Sequence, residues 1–220
     1  MVILFLANRQ LLNRVNKKSG KAILFLYEGD TEQGFYDTLF AKLGLHRNIQ
    51  IKRKPLDGVY NLNKKVTNAI YNYLEATNNK HIKHLTVFVA YDRDEKRLAP
   101  GRLNKAEIIN FIDDSRLKEV HEIIATQMLE SWFFIDIDGI YKFLRVQQSK
   151  RNPKKYEQHE NFRHEDLDRL FRQHDSQKRY YKGERTLNFI ENLDVLKIYK
   201  NCKDLKTGMD KMLLLAGIKP

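Results

Sequence analysis

Two short acidic segments of this chain carry side chains that could perform chemistry on a phosphate group. The first is the sequence YEGDTE at residues 27–32, which follows an apolar run and precedes a helical pattern. The second is the sequence DRD at residues 92–94, which follows another apolar run. Ligands of open α/β sheets bind at the carboxyl ends of the strands. Two strands that end on carboxylates therefore predict an acidic site at that edge.

Three of these carboxylates could share one face of the site. Side chains alternate along a strand, so Asp92 and Asp94 point the same way if the strand continues that far, and Glu28 from a neighbouring strand could complete the set. Such oxygens suit Mg²⁺ or Mn²⁺, which would activate a water and neutralise a phosphorane. Glu32, one helical turn past Glu28, could bind the metal or favour the positive helix N-terminus. The alternative for residues 92–96 is an exposed, charged loop.

Hydrophobic periodicity predicts the elements that position these residues. Strands and helices alternate, which predicts an α/β fold with a mostly parallel sheet and helices on both faces. The continuous apolar character of 22–27 and 85–91 is typical of central strands. Asp30 and Gln33 predict a capping box at the first helix. The predicted strands are 22–27, 48–53, 85–91 and 120–126, and the predicted helices are 31–43, 60–76, 103–113, 129–134 and 138–144.

The chain is expected to divide into three segments. Residues 1–20 form an N-terminal arm, residues 21–146 form the α/β domain, and residues 147–220 form a basic, mainly helical extension packed on the same domain. Within the extension, 147–161 is predicted to be a loop, 163–174 a short helix, and 193–218 two further helices.

The net charge of +12 is unevenly spread. Residues 141–190 hold 13 Lys and Arg against 7 Asp and Glu, whereas 101–140 hold 4 against 8. This distribution suits a polyanionic partner such as nucleic acid, with plain solubility charge as the alternative. Cations and aromatics interleave at 179–182, as in grooves that bind single-stranded nucleic acid, although a packed loop or edge strand explains them equally. The predicted phosphate-binding residues are Lys154, Lys155, Arg179, Lys182 and Arg185.

Several classes of protein are disfavoured by what the sequence lacks. No apolar run approaches the roughly 20 residues of a membrane span. The single cysteine, Cys202, excludes an internal disulfide and a cysteine zinc cluster, which favours a cytoplasmic location. Neither nucleotide-binding glycine motif, G-x-x-x-x-G-K-[ST] or G-x-G-x-x-G, occurs.

Three motifs together resemble those of TOPRIM domains. EGDTE at 28–32 is similar to the first motif, and VFVAYDRD at 87–94 is similar to the second, D-x-D motif. MLESWFFID at 128–136, with Glu130 and Trp132, is similar to an E-x-W motif that follows the fourth strand. The likeness is to the OLD-family nucleases and their small stand-alone (RloB-like) relatives, and it covers roughly residues 21–140.

The resemblance implies a Rossmann-like TOPRIM fold and metal-dependent phosphodiester chemistry. Glu28 would be a metal ligand or a general acid or base, Asp92 and Asp94 would bind Mg²⁺, and Glu130 would assist. Relatives of this kind act in bacterial anti-phage defence, often beside a partner ATPase, which here would be a separate chain. Lys96 stands where the topoisomerase–primase pattern continues to a third acid.

The sequence thus predicts a Mg²⁺- or Mn²⁺-dependent nuclease that acts on DNA or RNA. The predicted catalytic residues are Glu28, Glu32 and Glu130, and the metal ligands are Glu28, Asp92 and Asp94. One alternative is a non-catalytic module with a degenerate TOPRIM site that binds nucleic acid or an ATPase partner. A third is phosphoryl transfer or hydrolysis on a small phosphorylated molecule.

Overall fold

The computed structural model describes residues 20–93, 103–174 and 179–220. Within these residues, four parallel strands form one sheet in the order β2-β1-β3-β4. The two strands that precede the acidic segments, β1 and β3, are therefore neighbours at the centre of the sheet. The strands are β1 (Lys21–Tyr27), β2 (Gln50–Pro55), β3 (His84–Asp92) and β4 (Leu117–Ala125).

Both central strands are buried on both faces. Ile23 and Phe25 belong to the core on one side of the sheet, and Leu24 and Leu26 belong to the core on the other. Parallel strands covered by helices on both faces read as continuous apolar runs for this reason. The predicted α/β, Rossmann-like fold with a parallel sheet is confirmed.

The helices divide between the two faces. Helices α2 and α3 cover one face, and α1 with α4 to α9 cover the other. The described residues form α1 (Asp30–Leu43), α2 (Leu62–Glu75), α3 (Lys105–Ile112), α4 (Leu129–Phe133), α5 (Ile137–Phe143), α6 (His164–His174), α7 (Leu187–Glu191), α8 (Val195–Asn201) and α9 (Lys203–Leu215). Short 3-10 turns lie at Leu45–Arg47, Thr77–Asn79, Phe134–Asp136, Gln148–Lys150, Pro153–Tyr156, His159–Asn161 and Glu184–Thr186.

Some local predictions were wrong. Strand β4 was predicted to begin at residue 120, but it begins at Leu117, which pairs with Leu85. The polar residues Lys118 and Glu119 hid this start from the apolar pattern. The capping box was placed one residue late, because Gly29 is the N-cap of α1 and Glu32 accepts its backbone N–H. The segment 147–161 contains three 3-10 turns around the buried Tyr156, rather than an open loop. Helix α7 was not predicted.

Residues 147–220 share a core with the sheet. Met209 and Met212 of α9 are buried in the cluster that contains β1 and Ile123 of β4. At Gly208 a Cβ atom would lie 2.4 Å from the Ile123 side chain, so a glycine lets α9 approach β4 closely. The predicted domain boundaries stay predictions. No helix in the described part of the chain is long and apolar enough to cross a membrane.

Candidate carboxylate site

The ends of the two central strands are joined through a carboxylate. Tyr27 pairs with Ala90, so Glu28 falls level with the end of β3. The Glu28 Oε2 atom accepts a hydrogen bond from the backbone N–H of Asp92 at 3.2 Å. The register of the parallel sheet thus brings together two acids that lie 64 positions apart in the chain.

Asp92 connects β3 to the next element of the site. Its Oδ1 atom accepts the backbone N–H of Leu129 at 2.9 Å. Leu129 is the first residue of α4, and the first N–H groups of a helix have no partner within the helix. The hydrogen bond therefore fixes both the Asp92 carboxylate and the start of α4, which carries Glu130.

Glu130 is the most buried acid of the site, with 1% of its surface exposed. Its Oε1 atom accepts a hydrogen bond from the Tyr180 hydroxyl at 3.0 Å and lies 3.3 Å from Lys182 Nζ. Its Oε2 atom is buried and has no hydrogen-bond partner among the residues that the structure describes. A buried carboxylate oxygen without a donor is costly, so this atom is suited to a cation or a donor from a ligand.

Glu32 completes the group, which we call the carboxylate site: Glu28, Glu32, Asp92 and Glu130. Burial raises the pKa of Glu32 to about 7, and the charges of Glu130 and Glu28 also raise it, against the lowering effect of its backbone hydrogen bond and of Lys182. Burial likewise raises the pKa of Asp92 well above its usual range, with the charges of Glu32, Glu130 and Glu28 adding to the effect. Glu32 and Asp92 therefore favour the protonated form more than exposed acids do.

The ammonium group of Lys182 faces these acids. Its side chain is 49% exposed, but its ammonium group reaches Glu130. Burial lowers the pKa of Lys182, yet the charges of Glu130 and Asp92 outweigh this and raise it overall. The predicted role of Lys182 in phosphate binding stays a prediction, and in the structure its ammonium group pairs with Glu130.

The segment that carries Lys182 is attached to the first turn of α1. The backbone N–H of Gly183 donates to Thr31 Oγ1 at 2.8 Å, and Gly183 adopts a positive φ of 86°. Burial, followed by the charge of Glu130, raises the pKa of Tyr180 well above its usual range, so its hydroxyl remains a donor. Sequence reasoning missed Thr31 and Tyr180 as site residues. The only signal was the mixed aromatic and basic segment at 179–182.

The remaining predicted site residues are exposed at the surface or lie outside the part of the chain that the structure describes. Asp94 falls outside the described residues. Arg179 and Arg185 are exposed, and the Arg185 guanidinium lies 5.3 Å from the ring centroid of Tyr181. Lys154 and Lys155 are exposed on the 3-10 turn at Pro153–Tyr156. Among the described residues, no member of the carboxylate site lines the cavity of about 470 Å³ beside Lys154.

The donor chemistry of the carboxylate site fits Mg²⁺ or Mn²⁺, which prefer oxygen ligands. The buried, unpartnered Oε2 atom of Glu130 supports this fit. Across residues 20–93, 103–174 and 179–220, however, no three His, Cys, Asp or Glu side chains form a group that could hold a metal ion. Glu28, Asp92 and Asp94 stay the predicted metal ligands, and Asp94 lies outside the residues that this search covered.

The fold and site together define a parallel α/β protein with a buried carboxylate site at the carboxyl edge of its sheet. A family model described as a domain of unknown function (DUF4276) matches residues 27–212. The chain therefore belongs to the DUF4276 family. The matched range begins at the end of β1, ends in α9 and contains the whole carboxylate site. Comparison with curated proteins and with solved structures gives no match.

Proposed function

We infer that this protein is a Mg²⁺- or Mn²⁺-dependent phosphodiesterase with a TOPRIM-like fold that cleaves DNA or RNA. One observation carries the proposal: hydrogen bonds join Glu28, Asp92 and the start of α4, which carries Glu130, and the buried Oε2 atom of Glu130 has no hydrogen-bond partner among the described residues. A cation would remove the repulsion among these acids and satisfy that oxygen.

The side chains of the site have separate roles in this proposal. Bound Mg²⁺ or Mn²⁺ would supply an activated water and neutralise charge on the phosphate. Glu28, Asp92 and Asp94 would hold the ion, and Glu130 is held in place by the hydrogen bond from Tyr180. Glu32 is buried and would accept a proton from the attacking water. The Lys182 ammonium group would move from Glu130 to the phosphate, because an ammonium group binds phosphate as a point charge.

The partners and setting are part of the same proposal. The basic residues Lys154, Lys155, Arg179 and Arg185 are exposed and would contact the nucleic-acid backbone. A separate ATPase chain, a cytoplasmic location and a role in anti-phage defence are proposed from the resemblance to the small TOPRIM relatives.

The second candidate is a non-catalytic module that binds nucleic acid or a partner ATPase. It is favoured by the contact between Lys182 and Glu130, since this lysine already supplies positive charge to the carboxylates. It is also favoured by the lack of a ready-made metal group among the described residues.

The deciding experiment is incubation of the purified protein with plasmid, single-stranded DNA and transfer RNA, with and without Mn²⁺. We expect Mn²⁺-dependent cleavage of at least one substrate, and no cleavage by Glu28→Ala protein that remains folded. Calorimetric titration with Mn²⁺ accompanies the assay. The non-catalytic candidate predicts no binding of Mn²⁺ that depends on Glu28, and full cleavage by both Glu28→Ala and Asp92→Ala would exclude the site.

A further inference from the structure

A second cavity borders the carboxylate site and has a volume of about 290 Å³. Its inner walls are the aromatic rings of Phe143, Phe171, Tyr180 and Phe189, and we call it the aromatic cleft. The ring centroids of Phe143 and Phe171 each lie 5.2 Å from that of Phe189, with the rings edge to face. The volume is near the lower end of the roughly 300–1,000 Å³ of small-molecule sites, so it suits a single flat ring system.

Two positively charged side chains lie at the opening of the aromatic cleft. Arg179 and Arg185 both line it and are exposed. Tyr181, also at the opening, is 51% exposed. No carboxylate lines the cleft among the residues that the structure describes. Because guanidinium groups bind phosphate and stack on flat rings, the cleft suits a ligand that has an aromatic ring beside a negative charge.

Tyr180 connects the aromatic cleft to the carboxylate site. Its ring is a wall of the cleft, and its hydroxyl donates to Glu130. A ring bound in the cleft would lie one side chain away from Glu130. A phosphate that flanks the ring would then be near Lys182, whose ammonium group also contacts Glu130.

We propose that the aromatic cleft binds one unpaired nucleobase, that Arg179 and Arg185 bind the flanking phosphates, and that the substrate is single-stranded nucleic acid. The inference rests on the proposed nuclease function, which makes nucleic acid the source of the ring and the charge. A paired base has its faces covered by stacking, and it must leave the duplex before a pocket can enclose it. The cleft therefore selects single strands over duplex.

The test is a binding titration of the full chain in EDTA, followed by fluorescence anisotropy. The probes are a short labelled single strand and the same sequence as a blunt duplex. We expect the wild type to bind the single strand at least roughly tenfold more tightly than the duplex. Phe143→Leu and Arg185→Ala should each weaken single-strand binding by roughly tenfold and change duplex binding little.

The matched control is Arg47→Ala. It removes an exposed arginine from the 3-10 turn that precedes β2 and does not line the aromatic cleft. It should leave binding of the single strand unchanged. Arg185→Ala changes an exposed side chain, so it decides the test if Phe143→Leu protein does not fold. Equal affinity for the two probes, or wild-type single-strand affinity in the Arg185→Ala protein, would overturn the proposal.

The Glu28→Ala variant separates this inference from the proposed function. If Glu28→Ala abolishes cleavage while Arg185→Ala and Phe143→Leu bind normally, the cleft is wrong and the nuclease stands. If the wild type never cleaves but the cleft variants lose single-strand binding, the cleft stands and the nuclease is wrong.

Discussion

The carboxylate site and the exposed basic residues differ in how firmly the fold holds them. Glu28 and Asp92 each accept a backbone N–H from another element, and Glu130 is almost wholly buried. Lys154, Lys155, Arg179 and Arg185, which we call the basic surface, are exposed on turns and loops. The acids have fixed positions and neighbours, whereas the basic surface can adapt to its ligand. Substitutions in the carboxylate site should therefore have large effects on cleavage or stability, and substitutions on the basic surface should have smaller effects on binding.

The largest effect is expected at Asp92. Asp92→Asn keeps an oxygen that can accept the Leu129 N–H, so the fold should survive while the carboxylate that would bind the ion is lost. We expect Mn²⁺-dependent cleavage to fall by at least about a hundredfold. Initial cleavage rates measure the effect, and circular dichroism verifies folding. The control is Asp138→Asn at an exposed position, which should cleave normally.

Glu32 should make stability depend on pH. Its pKa rises from 4.5 to about 7 on folding. Between these two values the folded protein retains a proton on Glu32 that the unfolded chain releases. Glu32 therefore leaves stability unchanged below about pH 4.5 and lowers it progressively as the pH rises toward 7. Glu32→Gln removes this charge and keeps an acceptor for Gly29. At about pH 8 the variant should be more stable by about 2–3 kcal/mol, and near pH 4 the difference should vanish.

Urea denaturation across this pH range measures the prediction. Glu191→Gln, which alters an exposed glutamate on α7, is the control and should show no such difference. Equal stability of Glu32→Gln and wild type above neutral pH would mean that Glu32 is solvated, and the contrast between the acids and the basic surface would weaken.

Tyr180 tests how much the buried Glu130 depends on its donor. Tyr180→Phe keeps the ring and removes the hydroxyl that donates to Glu130 Oε1. Because it leaves a buried carboxylate with fewer donors, we expect the free energy of unfolding to fall by about 1–3 kcal/mol. Tyr181→Phe is the matched control, since Tyr181 is half exposed, and it should change stability by less than about 0.5 kcal/mol.

The smallest effect is expected on the basic surface. The double variant Lys154→Ala, Lys155→Ala should weaken binding of nucleic acid and reduce the slope of log affinity against log salt by about 1–2. Its maximal cleavage rate should match the wild type. The control removes Lys80 and Lys83, two exposed lysines just before β3 at the amino edge of the sheet. A slope that falls equally in both doubles would show that the charge of Lys154 and Lys155 acts without regard to position.

The α/β fold could be predicted from the sequence because the patterns that indicate it lie within single strands and helices. Apolar runs at β1 and β3, and helical periodicity between them, arise from burial within each element and require no knowledge of partners. The prediction for the edge strand β2 was less accurate, because it gave 48–53 whereas the strand is Gln50–Pro55. Most side chains of β2 are exposed, so its limits depend on its pairing with β1 and not on an apolar pattern. The start of β4 was missed for a similar reason.

The acids at the ends of β1 and β3 were also determined by the sequence, because the carboxyl ends of parallel strands must meet at one edge. Only the tertiary structure decided what surrounds them. Tyr180 reaches Glu130 across 50 positions, and Gly183 reaches Thr31 across 152. These contacts depend on how residues 147–220 pack against α1 and α4, and no local pattern encodes that packing. For the same reason the sequence could not show that the Lys182 ammonium group lies 3.3 Å from the Glu130 carboxylate.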